Sequence, residues 1–128
     1  MKNLPTLLRL GGVINALFVL FHLWLGWQFH HWAQLPAGLR ALLEIFNACG
    51  TLFILFLAVV GLAFPREAAA TALGRLTLWL GAALYAMRGL AEFVVTPQAN
   101  LPIVATCFAT ALLYAAILWI ARPRLASA

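Results

Sequence analysis

Arg88 and Glu92 stand four residues apart inside an apolar run from about Ala72 to Val95, long enough to cross a bilayer. On a helix that spacing puts both side chains on one face, where they can pair. An arginine near a bilayer centre costs roughly 2.5–3.5 kcal/mol to insert, so such a residue faces a bundle interior, a partner or a cavity. Its planar guanidinium also offers a fork for a phosphate or carboxylate. The residues that could complete a binding site around it are Glu44, Asn47, His22 and Tyr85.

Each of these residues also has a purely structural reading. Arg88 with Glu92 can be an ion pair that sets helix register, since both signs are present. Glu44 can be a carboxylate favoured by a helix N-terminus. Asn47 can hydrogen-bond a neighbouring helix, and His22 can be a satisfied core histidine. What points to function is that these residues share one depth and one facing.

Metal chemistry has the candidates His22, His30, Glu44 and Glu92, whose imidazole and carboxylate groups suit zinc, iron or manganese. No H-E-x-x-H or E-x-x-H motif fixes two of them on adjacent turns. All three histidines (His22, His30 and His31) lie on or just beyond one helix, so haem ligation by two histidines across the bundle is unavailable within one chain. Cys49 and Cys107 have neither metal-type nor disulfide-framework spacing. No serine or cysteine is paired with a base. No catalytic residue is therefore assigned, and no cofactor is implied by a motif.

The elements that would position these residues follow from composition. Of 128 residues, 66% are hydrophobic and 9% charged, with a mean hydropathy of +1.02. A soluble domain carries about 25% charged residues, so the chain reads as an integral membrane protein. At roughly 20 apolar residues per crossing, it has room for four helices in one antiparallel transmembrane domain over residues 1–128. The expected spans are about 7–29, 41–64, 72–95 and 101–120. The last two connections are the segments 65–71, with the third span able to begin earlier through Ala68-Ala69-Ala70, and 96–100. The first run is longer than a signal-peptide core and ends in aromatic and histidine residues rather than small ones, so it reads as a retained helix. Trp24, Trp27 and Trp32 put its far end in the interfacial aromatic belt.

The net charge of +5 belongs to basic residues scattered singly at helix ends, which argues for topology rather than nucleic acid. Lys2, Arg9, Arg66, Arg75, Arg122 and Arg124 fall on one side and only Arg40 on the other. By the positive-inside bias both termini face the cytoplasm, and the expected location is the bacterial inner membrane. At about 1.5 Å per residue, Glu44 and Glu92 then lie roughly 5 Å below the outer ends of their spans. Asn47, Arg88 and Cys107 lie roughly 9–10 Å down, and His22 and Cys49 roughly 12 Å down. Helical spacing also aligns Gly11, Asn15, His22 and Gly26 on the first span. Glu44, Asn47, Thr51, Ala58 and Gly61 align on the second, and Gly74, Gly81, Tyr85, Arg88 and Glu92 on the third. The expectation is a packed inner half and a polar pocket in the outer half, under a lid of His30, His31 and Trp32. Faces bearing Phe18, Phe53, Phe56 and Trp79 could support a homo-oligomer or a larger membrane complex.

In outline, four short-looped helices with charges in the outer half, the chain resembles the DoxX-like bacterial membrane proteins. The resemblance involves no shared motif and transfers no residue. Small multidrug transporters need an embedded glutamate in the first helix, which is absent here, and the Thr/Ser-Phe pattern of small fluoride channels is not found. Three functions are compatible with the sequence. The chain could bind or help move a small polar molecule, ion or lipid headgroup. It could be an accessory subunit of a membrane complex, or an integral membrane enzyme acting on a lipidic substrate.

Overall fold

The computed structural model describes residues 3–95 and 98–121. Lys2, Arg122 and Arg124 of the topology argument, and Thr96 and Pro97 of the third connection, lie outside the described residues. The architecture is all-helical: α1 (Leu4–His31), α2 (Ala37–Ala63), α3 (Pro65–Ala70), α4 (Ala72–Val95) and α5 (Leu101–Ile120). Among the described residues, α1, α2 and α5 are long and apolar enough to cross a membrane, which marks an integral membrane protein. α4 has 24 residues but carries Arg75, Arg88 and Glu92, and it is not among those three.

Helix boundaries follow local chemistry. Pro5 and Pro65 occupy first-turn positions of α1 and α3, where a missing N–H costs nothing. Pro36 precedes α2, and its carbonyl accepts from the Arg40 N–H at 2.9 Å. The Asn100 side chain accepts from the Ile103 N–H at 3.3 Å and caps α5. α1 begins at Leu4 rather than near residue 7, and α2 at Ala37 rather than near residue 41. The Ala68-Ala69-Ala70 run does not extend α4. It belongs to α3, which Thr71 separates from α4 by adopting an extended backbone.

Two antiparallel hairpins result, α1 on α2 and α4 on α5, with α3 turning between them. The first hairpin closes where Gly61 meets Gly12. A Cβ on Gly61 would lie 2.7 Å from the Leu8 carbonyl oxygen and 2.9 Å from the Gly12 Cα, so only glycine permits this separation. The core between the hairpins holds Leu8, Leu57, Leu78, Tyr114 and Ile117, all fully buried. Phe18 and Phe53 pack against this core, with Phe18 stacked on Tyr85 at 5.3 Å. These two rings thus serve packing within the chain, whereas Phe56 and Trp79 are exposed.

Burial is confined to one end of the first hairpin. No residue of α1 beyond Asn15, and none of α2 before Ile54, is buried. The second hairpin is closed further along, with Gly89, Glu92, Val104 and Cys107 buried.

Candidate functional site

A buried polar layer joins the hairpins. Asn15, with no exposed surface, donates from Nδ2 to the Gly11 carbonyl at 2.7 Å and to Tyr114 Oη at 2.6 Å. Tyr85 Oη donates back to Asn15 Oδ1 at 2.6 Å. Both amide hydrogens and the amide oxygen are therefore engaged. Three helices, α1, α4 and α5, meet in this one network. Asn15, Tyr85 and Tyr114 each have a side-chain partner in this layer, which commits Tyr85 to structure.

Further along α1 and α2, His22 and Asn47 form a reciprocal pair. Asn47 Nδ2 donates to the His22 carbonyl at 2.9 Å, and His22 Nδ1 lies 2.9 Å from Asn47 Oδ1. Because the amide nitrogen is the donor, the amide oxygen is the acceptor, and the hydrogen sits on His22 Nδ1. Nε2 has no hydrogen-bond partner among the described residues. Gly26 makes this pairing possible, since a Cβ there would stand 2.9 Å from Asn47 Nδ2. Thr51 Oγ1 donates to the Asn47 carbonyl at 2.6 Å on the next turn.

Glu44 pairs with His30, Oε1 to Nδ1 at 3.2 Å, with His30 exposed and Glu44 partly so. His31 turns away, as adjacent helical residues must, and its Nδ1 donates to the Trp27 carbonyl at 2.8 Å. On α4, Arg88 Nη1 donates to Glu92 Oε2 at 2.5 Å. The other carboxylate oxygen, Oε1, accepts from the Asn100 N–H at 3.3 Å, which ties the start of α5 to the end of α4. Glu92 is buried, whereas the Arg88 side chain is 49% exposed. Among the described residues, Glu92 is the sole hydrogen-bond partner of Arg88.

The structure thus arranges the sequence-selected residues as separate pairs: Arg88 with Glu92, His22 with Asn47, and Glu44 with His30. Tyr85 is drawn into the layer below. The metal candidates His22, His30, Glu44 and Glu92 contact one another only through the His30–Glu44 pair. No three His, Cys, Asp or Glu side chains converge among the described residues. Cys49 and Cys107 are both free thiols, the first exposed and the second buried.

Phe18 and Tyr85 mark where α1 meets α4, and His22 and Arg88 each stand about one turn beyond that contact. Sequence reasoning missed Tyr114, which completes the polar layer. Its signal was the spacing Cys107, Thr110, Tyr114, a polar stripe on an otherwise apolar helix.

No protein-family model matches the chain, and comparison with curated proteins and with solved structures likewise gives no match.

Proposed function

We propose that this chain is a small polytopic protein of the bacterial inner membrane, with α1, α2, α4 and α5 as four spans and both termini cytoplasmic. In its outer half it binds, or helps to move, a small polar molecule, ion or lipid headgroup. The observation that carries this reading is Arg88. Its side chain is half-exposed, and its guanidinium holds one carboxylate through one nitrogen and retains further N–H donors. It stands one turn beyond the sealed Asn15 layer, so a ligand can approach from the outer side alone. An anionic or strongly polar group would find charge-assisted hydrogen bonds there, in surroundings that screen them little. His22 Nε2, without a hydrogen-bond partner among the described residues, is a second polar contact for such a ligand. Asn47 and Tyr85 hold the flanking walls in place, and Glu44 lies nearer the membrane surface.

Native mass spectrometry of protein released from mild detergent tests this directly. The expected spectrum carries one retained small molecule or lipid per chain that Arg88→Ala reduces by about tenfold, the factor for a lost charge-assisted bond. Adducts unchanged in both Arg88→Ala and Glu44→Ala would overturn the reading.

A second reading, an accessory subunit or homo-oligomer, draws on a different observation. The outer parts of α1 and α2 bury nothing, although they carry His22, Glu44 and Asn47, which lipid-facing helices rarely hold. A second copy or a partner subunit would cover them. The same spectrum reports this as a discrete oligomer, or as a bare monomer that has lost its partner.

A further inference from the structure

At the opposite end of the bundle from Arg88, two grooves share one arginine. One, of about 510 Å³, runs between α4 and α5 and is lined by Arg75, Leu76, Trp79, Leu118 and Trp119. The other, of about 390 Å³, lies among the starts of α1 and α3 and the end of α5. Pro5, Pro65, Arg66, Ala69, Arg75 and Ala121 line it. Arg75 belongs to both.

From this arrangement we infer that this end of the protein holds one anionic phospholipid, its phosphate between Arg75 and Arg66 and an acyl chain along the α4–α5 groove. An apolar trough walled by two indoles and bordered by Arg75, which it shares with a second groove carrying Arg66, matches the two-part chemistry of such a lipid. Trp79 and Trp119 are more than half exposed, as interfacial tryptophans that meet lipid are. Basic pockets between membrane helices on the cytoplasmic side recognise anionic headgroups in this way. Among the described residues neither Arg75 nor Arg66 is in an ion pair, and Glu67, the acid on α3, lines neither groove. The uncompensated charge is therefore positive, which selects an anionic headgroup over a zwitterionic one.

The corner that carries Arg75 is built to hold it. A Cβ on Gly74 would lie 2.5 Å from the Ala68 Cα, so α3 and α4 meet backbone to backbone. Thr71 Oγ1 donates to the Glu67 carbonyl and accepts from the Gly74 N–H, each at 2.9 Å. Arg75 Nη1 donates to the Ala70 carbonyl at 3.1 Å. One nitrogen fixes the guanidinium at the rim, and the rest of the fork is left for a phosphate. The inference rests on the membrane reading of the chain and is independent of Arg88.

The test uses the full chain in native mass spectrometry, titrated with phosphatidylglycerol and with phosphatidylcholine of the same acyl chains. One phosphatidylglycerol per chain should be retained preferentially. Arg75→Gln should cut that preference about fivefold and Arg66→Gln by a similar factor. Arg9→Gln removes the same charge outside both grooves and should change it by less than about twofold. Arg75→Lys keeps the charge without the fork and should fall between wild type and Arg75→Gln, which also covers the case that Arg75→Gln does not fold. Equal retention of the two lipids by the wild type would overturn the proposal. So would an equal loss in Arg9→Gln and Arg75→Gln, which indicates a general field. Displacement of the lipid by soluble glycerol phosphate would show a free-anion site and overturn it too. A loss in Arg75→Gln with none in Arg88→Ala separates this site from the outer one.

Discussion

The half of the bundle near the amino terminus and the half near the α1–α2 turn are made from the same long helices, and they treat polar groups in opposite ways. In the first, Asn15 is fully buried and each of its hydrogen-bonding groups meets a partner on its own or another helix. Glycines there let backbones touch, and Leu8, Leu57 and Ile117 fill the remaining space. In the second half, His22 pairs with Asn47, Glu44 with His30 and Arg88 with Glu92, each within one hairpin, and of these six residues Glu92 alone is buried. Polar groups joined across three helices hold a bundle together. Polar groups paired within one hairpin leave the two hairpins unjoined by those bonds.

Substitutions graded by these two environments can break or sharpen the contrast. The largest effect is expected for Gly61→Leu, because the added atoms would meet the backbone of Leu8 and Gly12, which cannot swing aside. A loss of about 3 kcal/mol is expected in unfolding from mixed micelles. A change below about 0.5 kcal/mol would mean that α1 and α2 do not meet there. Asn15→Leu should cost about 2 kcal/mol, since it strands Tyr85 and Tyr114 in a dry layer. The same unfolding measurement on Tyr85→Phe and Tyr114→Phe should give about 0.6 kcal/mol each, the usual worth of one interhelical bond in a membrane.

Beyond the layer the expected losses shrink. Asn47→Leu breaks both bonds to His22 within the first hairpin and should cost about 1 kcal/mol. If it matched Asn15→Leu, the outer half would be as tightly joined as the inner. Glu44→Gln should change stability by less than about 0.5 kcal/mol, because its pairing with His30 is exposed and screened. A larger effect in the oligomer alone would point to a subunit contact over that face.

Several elements were readable from the chain because their cause is local. Pro36, Pro65 and the Asn100-Leu101-Pro102 segment punctuate helices wherever they stand, so the long helices lie close to where apolar run length puts them. Arg88 and Glu92 meet because helical geometry alone brings i and i+4 together. α3 was not legible as a separate helix, since Ala68, Ala69 and Ala70 suit continuation of α4. The break at Thr71 depends on the close contact of Gly74 with Ala68. Tyr114 escaped notice because a tyrosine in an apolar run gives no sign of its partner until Asn15 arrives from 99 residues away.

By itself the sequence determined that the chain is helical and apolar enough for a membrane, roughly where its long helices lie, and which residues share a helical face. Those properties depend on side-chain type and a fixed 3.6-residue turn. Only the tertiary structure decided that Asn15 pairs with tyrosines of α4 and α5, that Asn47 reaches the His22 carbonyl past Gly26, and that Glu92 holds Asn100 while Arg88 stays half-exposed. Depth along a helix is a one-dimensional quantity that counting supplies. Partnership across helices depends on rotation and separation, which the glycine contacts and the buried layer set together.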